Sequence, residues 1–161
     1  MNPAPAEHKF ECRLFWTGAS KGPTVDYATY SREHRVEFNG KPPLTMTSAA
    51  VFRGDPALAD PEDLLVAALA SCHFLSYVAL CARKGVRVTA YEDDAVGVMT
   101  RGEKTFHFTD ALLRPRVTIA PDSDAALARD LHHRAHTECF IAASVNFPVR
   151  IEPTIIVAAP V

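Results

Sequence analysis

Residues 60–85 read DPEDLLVAALASCHFLSYVALCARKG, and this stretch decides the fold. Asp60 supplies an N-cap carboxylate, Pro61 suits the first helical position, and Gly85 provides a stop after two basic residues. We therefore predict a helix from about Pro61 to Lys84. Because this helix is apolar on all sides, it should be covered all round by sheet, helix or a second subunit. The pattern favours a central helix and indicates a dimer.

The whole chain has the size and composition of one soluble globular domain. Its 161 residues are 48% hydrophobic and 22% charged, which provides enough apolar surface for a sizeable core, so we expect a single domain over 1–161. The formal net charge of -2, without a block of like charges, argues against nucleic acid or an anionic membrane as a partner. Residues 64–82 carry no charge and could just cross a bilayer, but their Ser, His and Tyr content favours a helix buried inside protein.

The cysteines are expected to be reduced. The N-terminus lacks a basic segment followed by an apolar one, so we predict a cytoplasmic location without a secretory signal. In that setting, cysteines are more often free, catalytic or metal-bound than structural disulfides, and the spacing of Cys12, Cys72, Cys81 and Cys139 contains no CxxC. Cys12 alternates with apolar residues along a strand, and Cys81 lies about 180° around the helix from Cys72. We interpret Cys12 and Cys81 as core residues.

Around the long helix, alternating and β-branched segments predict strands, and a second periodic segment predicts another helix. The second helix should begin at Asp122 or Ser123 and end near Phe140, with Cys139 continuing its buried row. Asn39-Gly40 is a hairpin signal. The strand candidates are 9–17, 35–38, 86–91, 106–108, 116–120 and 149–157. This order of strands and helices predicts an α+β fold.

Two motifs carry a resemblance to a known family. Asp60-Pro61-Glu62 opens the long helix and Cys72 follows Glu62 by ten residues; the second motif is Ala135-His136-Thr137-Glu138-Cys139. In this order and placement they resemble the OsmC/Ohr family of thiol-dependent hydroperoxide reductases. The resemblance implies an OsmC-like fold and an intertwined homodimer with active sites at the subunit interface. His73 and Phe140 stand where many members have Phe and Pro.

The resemblance also implies a chemistry for the two cysteines. Cys72 would be the peroxidatic residue that attacks an organic hydroperoxide, and Cys139 the resolving residue that closes a disulfide with it. An external dithiol, lipoyl-type or another thiol, would reset the pair, and no metal or bound cofactor is implied. The expected role is oxidative-stress defence in the cytoplasm.

An activating cation is expected beside Cys72, because only a thiolate is a competent nucleophile and an apolar helix disfavours the thiolate. The family uses an Arg held by the helix-entry Glu, which matches Glu62. Arg53 is our first candidate for that Arg, ahead of Arg35 and then Arg32. Ten residues of straight helix separate Glu62 from Cys72 by about 15 Å, so we predict that Glu62 comes from the other subunit.

Two further interpretations remain open. His132, His136 and Cys139 could face one side of a helix as zinc ligands, although a fourth ligand has no obvious source. A non-catalytic dimer could instead bind a hydrophobic acyl or aromatic ligand in the same apolar cavity. A general protein thiol oxidoreductase is disfavoured because a CxxC at a helix N-terminus is missing.

Overall fold

The computed structural model describes residues 7–159, which form two compact units, one ending at Leu64 and one beginning at Leu65. The helix α1 (Pro61–Lys84) begins in the first unit and continues into the second. The first unit otherwise contains β1 (Cys12–Phe15), β2 (His34–Phe38) and β3 (Leu44–Met46). The second contains β4 (Val88–Asp93), β5 (Val96–Arg101), β6 (Phe106–Leu113), β7 (Pro115–Ile119), α2 (Ala125–Thr137), β8 (Val149–Ile151) and β9 (Thr154–Val157). The predicted α+β class is confirmed, whereas the single domain stays a prediction.

The first unit is built on an antiparallel sheet in the order β1-β2-β3. The predicted hairpin signal joins β2 to β3, where Gly40 takes the positive φ of 70° that glycine adopts without strain. Strand β1 is shorter than predicted, and its apolar side chains face outward, with Leu14 62% exposed. Cys12 on this strand is exposed, so its interpretation as a core residue was wrong. The alternation along β1 therefore marks an apolar face that the described residues leave exposed.

Helix α1 has the predicted bounds because both ends are capped as the sequence indicates. Asp63 N donates to Asp60 Oδ1 at 2.8 Å, and Asp60 N donates to Asp63 Oδ2 at 3.2 Å, a reciprocal capping box. At the other end Gly85 has a φ of 77°, and the Val86 amide donates to Cys81 O at 3.0 Å. This Schellman motif satisfies carbonyls that the helix leaves without partners.

One face of α1 is buried and the other is open. Leu69, His73, Tyr77 and Leu80 are each at most 1% exposed, whereas Leu75 on the other face is 59% exposed. The expectation that the helix is covered all round is therefore not met within one chain. By length and composition α1 could cross a membrane, a property that core helices of soluble proteins share.

The second unit contains two sheets, in the orders β4-β7-β9 and β5-β6-β8, and each includes one parallel pair. Strands β7 and β9 are parallel, as are β6 and β8, so α2 lies in the connection between parallel neighbours. The predicted strand over 149–157 is two strands, because Pro153 has no amide hydrogen to continue a ladder. Strands β3 and β5 were not predicted. The core of this unit joins both helices to the first of these sheets through Tyr77, Leu80, Val117, Ile119 and Leu131.

Helix α2 is shorter than predicted at both ends. Asp124 is its N-cap, and its Oδ1 accepts hydrogen bonds from the Ala126 and Leu127 amides at 2.8 and 3.0 Å. The helix ends at Thr137, so Cys139 lies just beyond it, although Cys139 is buried as expected. The prediction that the helix continues to Phe140 was wrong, and Cys139 enters the core from a turn.

Candidate functional site

A groove of about 690 Å³ lies in the second unit along the open face of α1 and receives the Cys72 side chain. Cys72 is half-buried and reduced. The other groove residues are Ala68, Ser71, Leu75, Ser76, Ala79 and Arg83 of α1 together with Glu138, Phe140 and Ile141. The lining is mostly apolar, with one cation and one carboxylate at its edges, and it suits a small organic molecule better than an ion.

The structure brings the two predicted cysteines together. The Cys72 side chain is within hydrogen-bonding reach of the Cys139 thiol, and Cys139 is 2% exposed. Burial first, and then the neighbouring Cys72, raise the pKa of Cys139 to about 11, against the opposing effect of the Ala142 amide at 3.5 Å from Sγ. At neutral pH Cys139 is therefore a protonated, shielded thiol, whereas Cys72 faces the groove.

Two buried histidines accompany this pair. His73 follows Cys72 on α1, and its Nε2 lies 2.9 Å from Nδ1 of His132 on α2. Burial lowers the pKa of His73 to about 4 and that of His132 to about 3, so both imidazoles are neutral at pH 7. Tyr77 stacks on the His132 ring with centroids 3.8 Å apart and donates its hydroxyl hydrogen to Ala128 O at 3.1 Å.

The helix-entry Glu62 and the three candidate arginines lie in the first unit. Arg32 is held in its own loop by the Tyr30 and Tyr27 carbonyls at 2.6 and 2.5 Å. Arg35 forms an ion pair with Glu37 at 2.7 Å. Within residues 7–159, neither the Arg53 guanidinium nor the Glu62 carboxylate has a hydrogen-bond or ion-pair partner, so Arg53 is the candidate left available.

The backbone at Arg53 is unusual. It is the one non-glycine residue with a positive φ in the described part of the chain, at 68°. This left-handed conformation is disfavoured for a residue with a Cβ and is frequent at functional positions. The adjacent Gly54 fixes the turn, because a Cβ there would lie 1.5 Å from the Ser48 carbonyl oxygen. The loop therefore holds Arg53 outward at some conformational cost.

The alternative metal site is not assembled. Among residues 7–159 no three His, Cys, Asp or Glu side chains are placed to hold a metal ion together. His132 Nδ1 is already bonded to His73, and Cys139 faces Cys72. Two of the three proposed zinc ligands, His132 and Cys139, are therefore engaged with other side chains.

Sequence reasoning missed part of this environment. The His73–His132 contact joins residues 59 positions apart, so no local pattern could have predicted it. The only signal was His73 itself, a polar residue on an apolar helix beside the first motif cysteine. Glu138 and Phe140 were recognised as motif neighbours, but not as walls of the groove.

Comparison with known proteins gives a consistent result. An OsmC-like protein of unknown function from Vibrio cholerae O1 biovar eltor superposes with a TM-score of 0.83 at 31% identity, over 91% of this chain and 99% of that one. An organic hydroperoxide resistance protein OsmC from Legionella pneumophila superposes with a TM-score of 0.68 over 94% and 98% of the two chains, and at 15% identity this likeness shows the fold alone.

Sequence comparison points to the same group. The uncharacterized protein YmaD of Bacillus subtilis is 24% identical over 96 residues, which span 58% of this chain and 64% of YmaD, just under two thirds of that relative's length. The sequence model of the OsmC-like protein family matches residues 54–154, well over half of the chain. The chain therefore belongs to the OsmC-like protein family, as its two cysteine motifs predicted.

Proposed function

We propose that this protein is a thiol-dependent peroxidase that reduces organic hydroperoxides, with Cys72 as the peroxidatic and Cys139 as the resolving residue. The observation that carries the proposal is the contact between a half-buried cysteine in an apolar groove and a fully buried second cysteine. Solved relatives named organic hydroperoxide resistance proteins, from Legionella pneumophila and Elizabethkingia anophelis, have the same fold.

The two steps follow from the positions of the sulfurs. The Cys72 thiolate attacks the terminal oxygen of R–O–OH, the O–O bond breaks, and Cys72 becomes a sulfenic acid while RO⁻ takes up a proton and leaves as the alcohol. The Cys139 sulfur then attacks the Cys72 sulfur, and its thiol hydrogen leaves with the hydroxyl group as water. An external dithiol reduces the resulting disulfide and is itself oxidised.

The different environments of the two sulfurs support the proposed roles. A peroxide entering the groove meets Cys72, whereas Cys139 is behind the groove wall and has a raised pKa. Cys139 is therefore a poor first nucleophile. It is well placed for the second step, because the Cys72 sulfur that it attacks is within hydrogen-bonding reach. The apolar lining favours an organic peroxide over hydrogen peroxide.

We further propose that Arg53, held by Glu62, activates Cys72 across the interface of a homodimer. The uncovered face of α1 and the outward apolar side chains of β1 provide the surface for a second copy. Arg53 has a free guanidinium on a turn held by Gly54, and Glu62 lies in the first turn of α1. A guanidinium beside the sulfur stabilises the thiolate.

The first experiment follows peroxide loss after mixing reduced protein with cumene hydroperoxide and excess dithiol. We expect rapid turnover that Cys72→Ser abolishes, and a trappable sulfenic acid on Cys72 in the Cys139→Ser variant. Cys81→Ser, which removes a buried cysteine outside the site, is the matched control and should keep activity. A wild-type protein that consumes no peroxide but binds hydrophobic probes would instead support the ligand-binding alternative.

The contribution of Arg53 in trans has its own test. Cys72→Ser and Arg53→Ala chains are refolded separately and together. If each site uses Cys72 of one chain and Arg53 of the other, half of the mixed population is heterodimer with one intact site, and about a quarter of wild-type activity returns. Activity that stays absent on mixing, with heterodimers present by mass, would exclude a site built from two copies.

A further inference from the structure

Helices α1 and α2 share a buried contact within the second unit. Their interface is mostly apolar, with Leu80, Leu131 and Ala135 in the same core. Within it, His73 is 1% and His132 2% exposed, and their ring nitrogens meet at 2.9 Å. A polar pair at this depth needs an explanation, because apolar residues of similar size would fill the space without desolvating ring nitrogens.

The pair also lowers the stability of the fold, because each ring has a buried nitrogen without a hydrogen-bond partner among the described residues. His73 Nδ1 and His132 Nε2 both lack a hydrogen-bond partner among the described residues. A neutral imidazole carries one N–H, so whichever ring donates in the shared bond, one ring N–H remains without an acceptor. Unpaired buried donors are rare in folded proteins, and a persistent one points to a role beyond packing.

The geometry indicates what that role is. Tyr77 lies one turn after His73 on α1, and its partner Ala128 lies one turn before His132 on α2. The two helices therefore run antiparallel, and the two polar contacts lie one helical turn apart along each of them. Both contacts can form together in only one register of the helices. Apolar side chains alone tolerate sliding, whereas a buried polar contact is lost when one helix shifts along the other.

The register matters because it determines whether the two sulfurs meet. Cys72 immediately precedes His73, and Cys139 follows the end of α2, two turns beyond His132. A slip of one helical turn displaces a side chain by about 5.4 Å. A disulfide needs sulfurs about 2 Å apart and Cα atoms about 4.4 to 6.8 Å apart. A slip of that size would therefore prevent the bond.

We propose that the His73–His132 contact, with Tyr77 on Ala128, is a positioning clamp that fixes the register at which Cys139 meets Cys72. The role of this clamp in the second step of the reaction rests on the proposed peroxidase function. Its effect on the distance between the two sulfurs does not depend on that function. His73 and His132 touch no reacting atom and act only through the helices that carry the cysteines. Burial above all, and then the nearby His136, Arg129 and His133, disfavour a positive charge on the pair, so the clamp is in its neutral, bonded form near pH 7.

The test measures the effective concentration of Cys72 toward Cys139 in glutathione redox buffers, in a Cys12→Ser background that removes the exposed thiol. This measurement needs no peroxide, so it remains decisive if the protein proves not to be a peroxidase. His73→Phe keeps an aromatic ring but breaks the contact, and we expect a tenfold or greater loss of effective concentration. His107→Phe, the same substitution at an exposed position of β6, is the matched control and should stay within about twofold of wild type.

Two isosteric variants keep the test valid if His73→Phe does not fold. Glutamine places an amide nitrogen near the position of His Nε2, and asparagine places one near that of His Nδ1. His73→Gln and His132→Asn should therefore hold the effective concentration within about threefold of wild type. Leu80→Ala, which removes core volume elsewhere on α1, should lower stability without this loss.

Three outcomes would overturn the clamp. These are a folded His73→Phe variant with wild-type effective concentration, a tenfold loss in either isosteric variant, and a loss in Leu80→Ala as large as that in His73→Phe. The last would mean that the sulfurs respond to stability in general and not to register. A two-dimensional spectrum of the imidazole nitrogens adds an independent readout: at pH 5 the rings of His73 and His132 should both remain neutral.

Discussion

Acidification from pH 8 to pH 5 should destabilise this protein through its buried histidines. Burial, and then the other charges near them, lower the pKa of His73 from its ordinary 6.5 to about 4 and that of His132 to about 3. Between pH 6.5 and 4 the unfolded chain therefore binds protons that the folded chain does not. The two histidines therefore do not reduce the free energy of unfolding above pH 6.5, and they reduce it progressively as the pH decreases through that value.

The magnitude follows from the same values. At pH 5 an unfolded imidazole is almost fully protonated, whereas neither folded ring is charged to a substantial extent. Each ring then contributes a loss of about 2 kcal/mol relative to pH 8, or about 4 kcal/mol for the two rings if they titrate independently. Both side chains are almost completely buried, so solvent screening reduces this figure little. For a domain with marginal stability, that loss is a large fraction of the total.

The assay is urea unfolding of the reduced protein at pH 8, 7, 6 and 5, on wild type and on the double variant His73→Gln/His132→Asn. The variant has no titrating ring at either position, so the difference between the two curves removes contributions from other groups. Among those is Asp93, whose raised pKa, caused mainly by burial, acts in the opposite direction. Parallel curves for the two proteins would refute the reasoning.

Three substitutions test single contacts, each by urea unfolding at pH 8. Tyr77→Phe removes the hydroxyl that donates to Ala128 O and should cost about 1 kcal/mol; an unchanged midpoint would mean that this bond adds nothing to the interface. Asp124→Ala removes the N-cap of α2 and should also cost about 1 kcal/mol, whereas Asp124→Asn should cost much less. Gly54→Ala places a Cβ against the Ser48 carbonyl and should cost about 2 kcal/mol, and wild-type stability would show that the turn can relax freely.

The long helix could be predicted because its signals are local. Asp60 and Asp63 cap each other across one turn, and Gly85 ends the helix through its own backbone conformation. None of these interactions requires a distant part of the chain, so the sequence alone defines both bounds. The contact between Cys72 and Cys139 depends on distant parts of the chain. It was expected because two motifs resemble those of a known family, and local helix or strand signals did not predict it.

The errors share a physical origin in tertiary context. The apolar alternation of β1 predicts a buried face, but residues 7–159 leave Leu14 and Cys12 exposed. The four-residue periodicity of α2 continues to Cys139, yet the helix ends at Thr137 and a turn brings Cys139 into the core instead. The pairing of His73 with His132 depends on how two helices cross, which neither helix encodes separately.

The parallel pairing of β7 with β9 has a mechanical consequence for Cys139. Because α2 and the turn with Cys139 lie inside the connection between these two strands, the chain is anchored to one sheet on either side of that cysteine. Strand β8, which pairs with β6, lies between Cys139 and β9, so a large excursion of Cys139 would require β8 to detach, whereas a small adjustment needs only the turn after Thr137 to unwind. Formation and reduction of a bond between Cys72 and Cys139 should therefore move only the turn that carries Cys139. The order of strands in the sheets should stay unchanged.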